Sequence, residues 1–161
     1  MRGILARYLG VTADELVIDR LDGGKPYLTH PGPPTGFNLS HATGVAALLA
    51  VTRSGDVGVD IEALRRIDDP LRLARRALPV ADASEIAALP GARRTERLLD
   101  YWTRMEARQK ALGRGIFAAP ADPARLSNVS FQPGPGLFAS LSLSPRHDMP
   151  LRLRFFRCDA R

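Results

Sequence analysis

A chain of 161 residues, 45% hydrophobic and 25% charged, has the balance of a soluble globular protein long enough to bury a real core. Its one cysteine, Cys158, excludes an internal disulfide and a cysteine metal cluster, and its longest apolar run, Val45–Val51, is far too short to span a bilayer. The net charge of +6, carried by 21 arginines and 2 lysines, suits an anionic partner and makes Lys25 and Lys110 stand out.

Met1-Arg2 leads into a helix-like segment containing Arg7 rather than the apolar core of a signal peptide, so a cytoplasmic protein is expected. Ile4, Leu5, Tyr8 and Leu9 fall on one side of that helix, which Gly10 closes. Leu16 to Arg20 reads as a strand, Asp22-Gly23-Gly24 as a turn, and Lys25-Pro26-Tyr27-Leu28 follows it. A Pro- and Gly-rich loop covers 31–36, and Phe37-Asn38-Leu39-Ser40-His41 leads into Val45–Val51, which fits a buried strand or, being Ala-rich, a helix. Arg53 to Asp56 reads as a turn, and the run Val45–Val51 is expected to form a hairpin with the strand Val57–Ile61.

The middle of the chain reads as helical. Leu64 to Leu78 carries Arg65, Arg66, Arg72, Arg75 and Arg76, and Pro79 and Pro90 punctuate. From about Arg93, Leu98, Trp102, Met105, Gln109 and Leu112 recur at three- and four-residue steps until Gly113. Trp102, Glu106 and Lys110 form a second row at four-residue spacing, stacked along one side of the helix. The remainder reads as β, with short strands over Leu126–Phe131, Leu137–Leu143 and Leu151–Phe155.

The stretch Gly58-Val59-Asp60-Ile61-Glu62 organises the rest. Side chains alternate along a strand, so Asp60 and Glu62 leave on the same face, about 6–7 Å apart. A solvated edge strand would tolerate this pair, and a hard cation such as Mg²⁺ would remove its repulsion. Glu106 is the candidate third carboxylate, with Lys110 one turn beyond it. Glu106 and Lys110 taken alone also fit an ordinary ion pair on a helix surface.

The ordered blocks Gly24–Pro26, Phe37–His41, Gly58–Glu62 and Trp102–Gly115 resemble the 4′-phosphopantetheinyl transferases of the large, two-lobed, surfactin-synthetase-activating class. Members of that class move the phosphopantetheine arm of coenzyme A to a serine of an apo acyl or peptidyl carrier protein, releasing 3′,5′-ADP. The resemblance implies an α/β (α+β) fold of two similar small lobes related by a pseudo-twofold. Here residues 1–56 would be an incomplete N-terminal lobe and 57–161 the C-terminal lobe carrying the acids. It implies that Asp60, Glu62 and Glu106 bind Mg²⁺ with the pyrophosphate of coenzyme A, and that Lys110 adds charge to that pyrophosphate. It implies that Gly24, Lys25 and Pro26 line the adenine with Ser40 nearby, that His41 meets the 3′-phosphate, and that Glu106 serves as base for the carrier serine.

The chain departs from the family pattern at three places. Met105 stands where the family has Lys directly before the Glu, and Arg104 points about 100° away around the helix. The segment that carries basic side chains ahead of the first helix in the family is expected to be missing, as is the closing apolar strand of the second lobe. A lobe without its outer strand exposes an edge, through which self-association is expected. These departures leave a coenzyme A-binding homologue with weak or no transfer as the alternative. A nucleic-acid-binding module rests only on the charge and the Arg65–Arg76 stretch, with no docking motif behind it, so no nucleic-acid or membrane partner is expected.

Overall fold

The computed structural model describes residues 1–30, 36–42, 44, 46–52, 55–115 and 125–144. The loop over 31–35, the turn expected at Arg53, the strand expected over Leu151–Phe155, and Cys158 lie outside them.

Helix α1 (Arg2–Leu9) ends at Gly10, whose φ of 75° suits a residue without a side chain. Leu5 and Ala6 are buried with Leu16 and Phe37, and Leu9 packs beside them. Ile4 and Tyr8, expected on the same inner face, stay at the surface, because the helix touches its neighbours along a narrower line. Strands β1 (Val17–Arg20) and β2 (Pro26–His30) form an antiparallel hairpin around the Asp22–Gly24 turn, closed by the Gly24 N–H donating to the Leu21 carbonyl at 2.7 Å.

Strands β3 (Gly36–Ala42) and β4 (Ala46–Thr52) pair antiparallel from Gly36 opposite Thr52 to Ala42 opposite Ala46. This corrects the expected hairpin between the runs 45–51 and 57–61. Phe37–His41 is itself β4's partner, and its alternation misleads because Asn38 and Ser40 point inward while Leu39 and His41 point out. Strand β5 (Asp56–Ala63) pairs instead with β7 (Leu137–Ser144), which also pairs with β6 (Ser127–Phe131), in the order β5-β7-β6. On the other side of β5, the Val59 N–H donates to Asn38 Oδ1 at 2.9 Å. The strand is therefore no solvated edge, and Val57 to Ile61 are buried without a break.

Among the described residues, three helices lie between β5 and β6: α2 (Pro70–Ala77), α3 (Val80–Ala88) and α4 (Gly91–Ala111). The helix expected from Leu64 starts only at Pro70, because Asp69 caps it by accepting from the Arg72 N–H and proline favours the first helical position. Arg65 and Arg66 thus lie ahead of the helix, paired with Glu62 at 2.9 Å and Asp68 at 3.0 Å. Ala74, Leu78, Ala83, Ile86 and Leu98 form the core among these three helices.

Helix α4 lies against β5 and β7. Gly58 permits the close approach: a Cβ there would stand 2.1 Å from the Ala107 carbonyl oxygen. The Thr103 and Ser140 hydroxyls, both fully buried, meet at 3.2 Å, and Ser140 meets Ser130 at 2.8 Å. These contacts fix the rotation of α4, so the residues one turn after Thr103 face β5. Buried positions on α4 include Leu98, Leu99, Thr103, Glu106, Ala107 and Gln109, whereas Trp102, Met105 and Leu112 are only half-buried.

Candidate active site

Strands β3 and β5 and helix α4 each deliver polar side chains to one point. Asp60, on β5, is 3% exposed, and Glu106, on α4, is 8% exposed. Between them lies the ammonium of Lys110, 2.6 Å from Asp60 Oδ1 and 3.5 Å from Glu106 Oε2. It also donates to Ser40 Oγ on β3 at 3.2 Å, while that hydroxyl donates to Asp60 Oδ1 at 2.8 Å. The other oxygen of Asp60, Oδ2, is buried and has no hydrogen-bond partner among the described residues.

Taking a carboxyl out of water raises its affinity for protons. Burial, reinforced by the Asp60 charge, pushes the Glu106 carboxyl up to about 7, against the pull of Lys110. Burial also raises Glu62, while Arg65 pulls it back. Glu62 lies on the same strand face as Asp60, but its carboxylate is engaged by Arg65 at 2.9 Å. Among the described residues no three such side chains stand assembled as a ready metal cage.

Beside this cluster is a cavity of about 190 Å³ lined by Gly23, Gly24, Lys25, Pro26, Asn38 and Lys110, with Gly113 and Arg114 at the end of α4. The Gly-Lys-Pro block and Lys110, far apart in the chain, therefore share one cleft. Lys25 is buried, and its ammonium is held by Asp56 Oδ1 and the Ala111 carbonyl, each at 2.7 Å. Its side chain thus ties the β1–β2 turn to the end of α4, and Gly24 and Pro26 are the members of the block whose surfaces line the cavity free of such a tie. His41 does not join the cluster: strand alternation puts it on the face opposite Ser40, exposed.

Met105 packs against the α2–α3–α4 core. Arg104 does not supply the missing charge, since its guanidinium bonds Asp100 at 3.2 Å and lies 5.1 Å over the Tyr101 ring. Three contributors escaped the sequence reading. Asn38 joins β3 to β5, and its signal was present, a polar residue on the same face as Ser40. Asp56 holds Lys25, and Ser140 seats Thr103, but pairings over 31 and 37 residues leave no local trace.

A family model described as the 4′-phosphopantetheinyl transferase superfamily matches residues 56–154. The 4′-phosphopantetheinyl transferase HetI of a Nostoc species is 35% identical over 139 residues, covering 80% of this chain and 58% of that protein. The transferase pptA of Paxillus involutus is 34% identical over 138 residues, covering 70% of this chain and 49% of its own length. The transferase AcpT of Salmonella typhi is 37% identical over 90 residues, covering 56% of this chain and 46% of its own length. The chain spans about half the length of the curated relatives it matches. On the strength of this match and these relatives, the chain belongs to the 4′-phosphopantetheinyl transferase superfamily.

Proposed function

We propose that this protein transfers the 4′-phosphopantetheine arm of coenzyme A to a serine of an apo acyl or peptidyl carrier protein, with Mg²⁺. The observation that carries this reading is the convergence of Asp60, Glu106, Lys110 and Ser40 beside the Gly24–Pro26 cavity. The donor set suits a hard divalent cation: the side chains are carboxylate oxygens, and Asp60 Oδ2 is buried without a partner among the described residues. Asp60 and Glu106, with Glu62 once it turns from Arg65, would hold the ion. When bound, it supplies positive charge to the pyrophosphate oxygens.

The chain's own groups do the rest. Lys110, on a flexible stem, offers its ammonium to the pyrophosphate as a second positive charge. Gly24 and Pro26 provide the cavity wall for the adenine. Glu106, buried beside Asp60 and Lys110, is the carboxylate placed to accept the proton of the attacking serine hydroxyl. The serine oxygen bonds the phosphorus bearing the pantetheine arm, the pyrophosphate P–O bond breaks, and 3′,5′-ADP leaves with that electron pair.

The carrier meets the protein at the exposed Arg72, Arg75 and Arg76 of α2, which suit an acidic surface. The division into a partial lobe over 1–56 and a second over 57–161 belongs to the same reading. It is supported by the separate core around Leu5, Leu16 and Phe37.

The test is a mass-shift assay with an apo carrier protein, coenzyme A and Mg²⁺. Transfer adds the phosphopantetheine mass to the carrier. Replacing Asp60 or Glu106 with Ala should reduce the rate by about two orders of magnitude or more, the scale of losing a charged group aimed at the transition state. An Asp60→Ala protein that transfers at the parent rate would refute the assignment.

A further inference from the structure

The ammonium of Lys110 has three N–H donors and is surrounded by three oxygens: Asp60 Oδ1 at 2.6 Å, Ser40 Oγ at 3.2 Å and Glu106 Oε2 at 3.5 Å. The two carboxylates need it. Their side chains are only 4% and 11% exposed, and like charges repel strongly where water is excluded. Lys110 itself is held less tightly. Its side chain is 28% exposed and hangs from a four-carbon stem, so it can swing out without disturbing α4.

Asp60 is divided between two situations. One oxygen accepts from both Lys110 and Ser40, and the other has no partner among the described residues. The carboxylate is thus turned toward a cation from α4 while keeping unused capacity for another. The cavity that takes in the Gly-Lys-Pro block also reaches Lys110, so an anion seated there lies within the range of the same ammonium.

We propose that Lys110 is a built-in counter-ion: in the metal-free protein its ammonium stands in for the divalent cation between Asp60 and Glu106. It yields that position when a pyrophosphate arrives to receive it. This rests on the transferase reading and deepens it, because it couples two binding events. Mg²⁺ arriving alone has to displace an ammonium that has no other anion to go to. With coenzyme A in the cleft, the ammonium moves to the pyrophosphate and the carboxylates are released together. Metal and coenzyme A therefore bind cooperatively, and each raises the affinity for the other by the same factor.

The experiment is calorimetric titration of MgCl₂ into the parent and into Lys110→Met, each with and without coenzyme A, alongside thermal unfolding in a chelator. For the parent, coenzyme A should tighten Mg²⁺ binding by about tenfold or more, within the usual span of coupling between sites. Lys110→Met should bind Mg²⁺ alone more tightly than the parent, by about fivefold, and its gain from coenzyme A should shrink to about twofold. In the chelator Lys110→Met should melt below the parent, and adding Asp60→Asn should recover most of that loss, since the repulsion then disappears. Lys110→Met binding Mg²⁺ alone no more tightly than the parent would overturn the proposal. So would a chelator melting temperature no lower than the parent's, or one that Asp60→Asn does not restore. Should the parent bind neither Mg²⁺ nor coenzyme A in any combination, the transferase reading fails. The counter-ion role of Lys110 is then decided by the chelator measurements alone.

Discussion

Gly58 and Ala107 lie so close that a Cβ on the glycine would sit 2.1 Å from the Ala107 carbonyl oxygen and 2.3 Å from the Ala111 nitrogen. Both neighbours are backbone of α4, which cannot step aside without moving the whole helix. The distance between the acidic strand and the Glu–Lys helix is therefore set at a residue that carries no chemistry of its own. Gly58→Ala should destabilise the protein by about 3 kcal/mol or more, the upper end of overpacking effects. Any folded remnant should lose coenzyme A affinity, because α4 is pushed off Asp60. Denaturant unfolding followed by titration checks both, and a stable Gly58→Ala protein would show that α4 has room to shift.

The protonation of Glu106 gives the metal-free protein a defined pH dependence. Its folded carboxyl titrates at about 7, above the ordinary value of 4.5, through burial and then the Asp60 charge. The folded state thus holds this proton more tightly than the unfolded chain. That contribution to stability is complete below pH 4.5 and is lost as pH rises through 7. In a chelator, Glu106→Gln should flatten the decline of melting temperature across this window. An unchanged decline would assign the effect to another group.

Met105 stands in the family's Lys position, yet its side chain packs against the core formed by Ala74, Leu78, Ala83, Ile86 and Leu98. Met105→Lys should therefore destabilise by roughly 1–3 kcal/mol, the scale for bringing a polar group into such a setting. It should leave coenzyme A affinity within about twofold, because the residue faces α2 and α3 rather than the cluster. A variant that binds coenzyme A distinctly more tightly would mean that the new ammonium reaches the cleft.

Arg75 and Arg76 are exposed in the last turn of α2, where their charge also complements the helix dipole. Replacing both with Glu should raise the KM for an acidic carrier more than that for coenzyme A. It should also flatten the salt dependence of carrier use, since the Debye length falls from about 10 Å at 0.1 M to about 3 Å at 1 M. Carrier kinetics unaltered across the salt range would leave these arginines as a solvated helix face.

Most local elements and the chemistry on offer were legible in the residues alone. The turn at Asp22–Gly24, the strand Val57–Ile61, the long helix ending near Gly113 and the last two described strands all follow from period and punctuation, which act over a few residues. The spacing of Asp60, Glu62, Glu106 and Lys110, with the Gly-Lys-Pro and Ser-His blocks, carried the family resemblance. Which groups meet was settled by packing. Strand β5 pairs with β7, some 80 residues on, rather than with its neighbour β4, whose actual partner β3 is disguised in the sequence by its inward polar residues. Ser40 joins Asp60 while adjacent His41 turns away, and Lys25 is drawn to Asp56 and Ala111. Each of these depends on charge pairing and burial between distant segments, and such pairings exist only once the chain has packed.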